Sequence, residues 1–186
     1  MEPRDLKRAV RRAAKGDEPS AGELFDEFYP RVYRYALAKL GNQVDAEDVA
    51  AETFAKVLRG LDRFVWRGGG FEAWIFRIAS SVVVDQVRFR ARESLSAAPD
   101  DHEPSDVQAW EPETAFLFAE AGDEVRTALA ALPGDQREVL VLRFAAGLDT
   151  KETGEVMGRK ANAIRQLQFR ALQHMRELMT EEVKAG

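Results

Sequence analysis

Residues 93–113, ESLSAAPDDHEPSDVQAWEPE, contain three prolines, a run of acids and no helical period. Each proline removes a backbone donor and pushes its predecessor towards extended geometry, so no regular element is expected to pass through. This stretch splits the apolar residues of a 186-residue chain into two sets, and each set has to build a small core of its own.

Both sets carry helical patterns. In ELFDEFYPRVYRYALAKLG, Leu24, Phe28, Val32, Tyr35 and Leu40 recur at steps of three to five before Gly41, a helix terminator, while Pro30 marks a candidate bend. DAEDVAAETFAKVLRGL follows, with Asp45 as expected N-cap and Val49, Phe54, Val57, Leu58 and Leu61 as its stripe. DRFVWRGGGFEAW, with three consecutive glycines, is a loop. FEAWIFRIASSVVVDQVRFRARE resumes helix, because the period Trp74, Ile78, Val82 outweighs the strand preference of Val82, Val83 and Val84. Beyond the break, ETAFLFAEAGDEVRTALAAL is helical, PGDQ is a turn or helix start, REVLVLRFAAG is a short apolar helix, and DTKETGEVMG opens on an Asp149-to-Glu152 capping-box spacing. The expected fold is all-α: a helical bundle over 1–92, an acidic flexible linker over 93–119 and a helix-turn-helix domain over 120–186.

Charge follows the same division. Lys and Arg outnumber Asp and Glu by 17 to 14 in residues 1–92 and by 10 to 8 in 125–186, whereas residues 93–124 hold ten acids and no base. The net charge of -5 therefore arises in the tether. Since fields are screened over about 8 to 10 Å in ordinary salt, local basic faces can still bind nucleic acid.

Several functions are excluded on composition. There is no cysteine for a disulfide or thiolate metal site, and His102 and His174 stand without a ligand cluster. The carboxylates of DAED and DDHEP, even with His102, lack a partner base or metal spacing, so no catalytic residue, cofactor or small-molecule substrate is expected. No apolar run approaches the roughly 18 residues of a spanning helix, and the basic start RDLKRAVRRAAKGD is not followed by a secretory apolar stretch. A cytoplasmic protein without membrane insertion is expected.

The helix pair DTKETGEVMGRKANAIRQLQFRA has a short first helix, a glycine turn and a longer second helix. Ile164, Leu167, Ala171 and Met175 fall within about 80° of arc and are expected to pack inward. Asn162, Gln166, Phe169 and Gln173 lie opposite, flanked by Arg159, Arg165 and Arg170. Amides pair bidentately with adenine, arginines take guanine or phosphate, and Phe169 suits a thymine methyl. In the first domain, Arg77, Arg88, Arg90 and Arg92 accompany Trp74 and Phe89, a combination suited to an unstacked single strand. DAEDVAAETFAKVLRGL offers an acidic and apolar face for a protein partner.

In this combination the chain resembles the extracytoplasmic-function class of bacterial RNA polymerase sigma factors. LFDEFYPRVYRYALAKLG, DAEDVAAETFAKVL, FEAWIFRIASSVVVDQVRFRAR and LAALPGDQREVLVLRFAAGLDTKETGEVMGRKANAIRQLQFRAL match its successive blocks in order. The resemblance implies a sigma region 2-like domain and a sigma region 4-like domain. It implies polymerase contacts at Asp48, Glu52, Thr53 and Phe54, on the clamp helices of the largest subunit. Minus-10 contacts are implied at Trp74, Arg77, Ser80, Ser81, Asp85, Arg88 and Arg90. The helix-turn-helix becomes the minus-35 reader, through Arg159, Lys160, Asn162, Ala163, Arg165, Gln166, Phe169 and Arg170. The implied partners are core RNA polymerase, including the flap of the second-largest subunit, promoter DNA and an anti-sigma factor, with the linker threading the polymerase's RNA path. The chain departs from the family at Ala51, where glutamine is common, at Ser80-Ser81 in place of Arg-Asn, at Lys160 in place of a hydroxyl residue, and at Leu167 in place of arginine. The expected function is promoter recognition without catalysis; the alternative is a stand-alone helix-turn-helix regulator.

Overall fold

The computed structural model describes residues 1–96 and 123–185, which form two helical units without strands among the described residues. The predicted linker, with His102, lies almost wholly outside the described residues.

The first unit begins with a helix over the stretch whose sequence shows only a basic start. Helix α1, Pro3–Ala13, has proline in its first turn and buries Leu6, Ala9 and Val10 on one side. That side packs on α2, Glu18–Leu40. Asp17 caps α2 by accepting from the Ser20 amide at 3.0 Å. Hydrogen bonding from the Ser20 side chain, then from Arg12 at 3.0 Å and from the Ser20 amide, holds the Asp17 carboxyl below the usual carboxylate range. Pro30 does not end the helix; α2 runs through it to Gly41, which takes a left-handed conformation and donates its amide to Leu37.

Helix α3, Gln43–Gly60, corrects the expected cap. Asn42, not Asp45, sits in extended conformation and accepts from the Asp45 amide at 3.0 Å. Asp45 lies inside the first turn with its side chain buried, where it accepts from Gln86 Nε2 at 3.0 Å and from the Arg90 guanidinium. Either residue satisfies capping chemistry on paper, but Asp45 is drawn inward by two donors from α4 that sequence does not connect to it. A short 3-10 turn, Leu61–Arg63, leads through the glycine loop into α4, Gly70–Ser96. Its interior residues are Ile75, Phe76, Ala79, Val82 and Val83, so the buried stripe lies one position beyond the expected Trp74–Ile78 line, and those two residues flank it half-buried. Three valines in a row are accommodated because two of them, Val82 and Val83, bury; α4 meets the core of α2 where Phe76 stands edge-on to Tyr35 at 5.7 Å.

The second unit comprises α5 (Asp123–Ala131), α6 (Gly134–Leu140), α7 (Thr150–Met157) and α8 (Ala161–Ala185). Arg137 closes α5 by donating to the carbonyls of Leu129 at 3.0 Å, Ala130 and Leu132 at 3.2 Å. After α6 the chain makes one wide turn, Val141–Ala145, whose Ala146 amide donates to Val141 five residues back at 3.0 Å. Arg143 holds that turn against α8, donating from Nε to Gln168 at 3.1 Å and from its guanidinium to the Leu148 carbonyl. Helices α5, α6 and α7 all pack on α8 around Leu129, Val139, Leu142, Leu148, Ile164 and Leu167.

Candidate nucleic-acid and partner interfaces

The helix-turn-helix is built by local hydrogen bonds. Asp149 accepts from the Glu152 amide and Glu152 from the Asp149 amide, both at 2.7 Å, the reciprocal capping box its spacing implied. At the other end Gly158 adopts φ +65, open to glycine at no steric cost, and the Arg159 amide donates to Gly154 at 2.8 Å. Gly154 is required there, because a Cβ would stand 2.5 Å from the Arg159 carbonyl oxygen. The turn therefore fixes where α8 begins.

On α8, Ile164, Leu167 and Ala171 are buried and Met175 is half-buried. Arg159, Lys160, Asn162, Ala163, Arg165, Gln166, Phe169 and Arg170 are all exposed, Phe169 at 62 %. Asn162, Arg165, Gln166, Phe169 and Arg170 line one open hollow of about 520 Å³ that contains two cations, two amides, an aromatic ring and no acid. That set can hydrogen-bond base edges, pair with phosphate and touch a methyl group. Arg159 stands slightly apart, 3.3 Å from Asp135 on α6. Leu167, at the family's usual arginine position, points into the core and is unavailable to a ligand.

The first unit sorts its candidates differently. Arg77, Ser81, Asp85 and Arg88 on α4 are exposed, and Ser80 is half-buried. Trp74 is half-buried against Phe64, ring centroids 4.9 Å apart, and Phe64 meets Trp66 edge to face at 5.1 Å. Arg90 is exposed along its length, yet its guanidinium is committed to buried Asp45, so it ties α4 to α3.

On α3, Asp48 and Glu52 are exposed one turn apart, whereas Thr53 and Phe54 are buried, Thr53 completely and, among the described residues, without a hydrogen-bond partner for its hydroxyl. Glu52 lies 3.7 Å from Lys56 and 3.4 Å from Arg59, and Lys56 reaches 4.0 Å to Asp85 on α4. An open groove of about 480 Å³ runs between the two helices, with Asp48 and Glu52 on one wall, Arg88 and Arg92 on the other and Val49, Val82 and Phe89 between them. The candidate partner face and the candidate single-strand face thus border one groove.

Sequence reasoning missed three contributors. Phe25, 42 % exposed, stacks on Tyr29 at 4.6 Å and meets Phe54 edge-on at 5.0 Å, so it is the accessible aromatic over buried Phe54. Burial, then the charge of Glu47, raises the Tyr29 phenol above its usual value and keeps it neutral. Lys56 bridges the two walls of the groove, and Asp45 anchors Arg90. The position of Phe25, a large ring beside the Leu24–Phe28 stripe rather than in it, was the available signal; nothing in the sequence marks the Asp45–Arg90 pair. Among the described residues no cluster of three or more His, Asp or Glu stands ready for a metal, and no helix is long and apolar enough to cross a membrane.

Residues 24–93 match the family model for sigma-70 region 2 and residues 128–177 that for sigma-70 region 4. The chain is 38 % identical to the ECF RNA polymerase sigma factor ShbA of Streptomyces griseus, over 91 % of this chain and 92 % of the relative. It is 33 % identical to the ECF RNA polymerase sigma factor BldN of Streptomyces coelicolor over 94 % of its own length, and spans 66 % of that relative. Its fold is similar to that of the sigma factor RpoE solved in complex with the anti-sigma factor NepR from Bartonella quintana, with a TM-score of 0.62, 23 % identity and coverage of 86 % of this chain and 96 % of that one.

Proposed function

This chain belongs to the extracytoplasmic-function class of RNA polymerase sigma factors, and we propose on that premise that it carries core RNA polymerase to a defined set of promoters. The observation that carries the reading is the sorting of α8: the amides, cations and Phe169 of one acid-free hollow face outward while Ile164, Leu167 and Ala171 hold the helix to its domain. Such a helix enters the major groove with its N-terminal half, where Asn162, Arg165 and Gln166 meet base edges and Arg170 meets phosphate. The second unit, 120–186, takes duplex minus-35 DNA and the polymerase flap.

The first unit, 1–92, holds the melted minus-10 strand on α4. Arg77, Arg88 and Arg92 track its phosphates, Trp74 stacks, and Ser80, Ser81 and Asp85 supply short polar contacts. Arg90 acts as the strut that sets α4 on α3. Asp48 and Glu52 meet the polymerase clamp, with Thr53 and Phe54 supporting them from within. The acidic linker passes along the polymerase's RNA path, where its charge resembles that of nucleic acid. The protein carries out no chemistry of its own; the polymerase does. It works in the cytoplasm, and an anti-sigma factor that occupies the α3–α4 groove would block both walls together.

The test is assembly. The full chain is mixed with core polymerase, passed over a sizing column, and its binding to promoter duplex is compared with and without polymerase. Co-elution with core, and promoter binding that requires it, are expected. A chain that ignores core polymerase and binds duplex equally well alone is a stand-alone regulator, and the proposal fails.

A further inference from the structure

Helix α1 has a strongly charged outer face that none of the contacts above uses. Arg4, Lys7, Arg8 and Arg11 stand at i, i+3, i+4 and i+7, within about 100° of arc, and all four are exposed. Leu6, Ala9 and Val10 occupy the opposite side and are buried, so the stripe is fixed in orientation by the packing of α1 on α2. Along the axis Arg4 and Arg11 are about 10 Å apart. Arg8 pairs with Asp5 at 2.9 Å, an exposed contact of little weight, while Arg4 and Arg11 make no ion pair among the described residues.

The stripe is continuous with the proposed minus-10 surface. Lys7 Nζ lies 5.5 Å over the ring of Trp66; Trp66 meets Phe64 at 5.1 Å, and Phe64 meets Trp74 at 4.9 Å. One unbroken run of cation and rings therefore leads from α1 to the tryptophan placed against the melted strand. The acids of α3 belong to the other candidate face, the one proposed for the polymerase.

We infer that the Arg4, Lys7, Arg8 and Arg11 face of α1 is a phosphate-backbone track that extends the DNA contact of the first unit past Trp74. The inference rests on the reading that this unit holds promoter DNA at Trp74. A backbone of regularly spaced phosphates is the partner that this row of four cations fits, with Asp5 at its side as the one acid paired to it among the described residues: it can supply affinity and register, and it reads no base. Lys7 has the further role of joining this track to the rings.

The experiment compares wild type with the triple variant Arg4→Gln, Arg8→Gln, Arg11→Gln in the full chain, with and without core polymerase, on a fork-shaped DNA that is duplex at one end and single-stranded at the other. Glutamine keeps helix propensity, and all three sites are exposed, so the helix content and melting temperature are expected to be unchanged. Affinity is measured across a salt series. Loss of three phosphate contacts should lower the slope of log affinity against log salt by about 2 to 3 units. Lys7→Gln alone should lower it by about one unit and reduce quenching of Trp66 fluorescence on DNA addition. Equal salt slopes for wild type and triple variant overturn the inference. So does an unchanged slope with weakened polymerase affinity, which would assign the stripe to an acidic protein surface. A lowered slope in a chain that never binds polymerase would keep the phosphate track and overturn the sigma-factor reading instead.

Discussion

All eight candidate side chains on α8 and in the two residues before it stand in solvent, and the apolar stripe is buried; on α3 only Asp48 and Glu52 do so, while Thr53 and Phe54 lie in the core. The contrast follows from how many neighbours each helix has. Helix α8 rests one side on α5, α6 and α7, and its other side is exposed among the described residues. Helix α3 packs on α2 and is also tied to α4 through Asp45 and Lys56, so its residues must serve packing and recognition together. A helix covered on one side separates the two tasks by face, and a helix held between neighbours mixes them.

That contrast is broken most forcefully in the core of α8. Leu167→Ala should destabilise the second unit by about 2 to 5 kcal/mol, seen as an early transition in thermal unfolding, because it removes a fully enclosed side chain. If Leu167 instead served recognition, the change would weaken DNA binding and leave melting alone.

The Asp45–Arg90 strut sharpens it next. Arg90→Ala leaves a buried carboxylate with Gln86 as its remaining side-chain donor among the described residues and should cost about 2 kcal/mol in denaturant titration. Asp45→Asn leaves a half-exposed guanidinium that water can reach, and should cost less, about 1 kcal/mol. The reverse order would mean that the pair does not work as a strut.

Arg165→Ala and Arg170→Ala touch recognition alone. Each should reduce the salt slope of minus-35 binding by about one unit, with no change in melting temperature. The smallest effect is expected at Thr53. Its hydroxyl is buried without a partner among the described residues, so Thr53→Val should be neutral or stabilising by up to about 1 kcal/mol and leave polymerase affinity unchanged. A loss of polymerase binding in that variant would move Thr53 from support to contact.

How much was legible in the sequence also tracks the contrast. The period of Ile164, Leu167 and Ala171 and the Asp149–Glu152 spacing set out the second unit because both signals are local, repeating within a turn or two of helix. The first unit hid what depends on distant partners. Asp45 reads as a cap until Gln86 and Arg90, more than forty residues on, are seen to claim its carboxylate. Phe25 reads as an incidental aromatic until α3 brings Phe54 under it. Helix α1 is hard to read from sequence because its many charges mask Leu6, Ala9 and Val10, the three residues that seat it.

The central claim is tested most directly by run-off transcription with core polymerase and this protein on a library of genomic fragments. The account predicts discrete transcripts from a small set of start sites, present only when the protein is added, and weakened when Arg165 and Arg170 are both replaced by alanine. Transcription no different from that of core polymerase alone, with no inhibitor in the reaction, would contradict it.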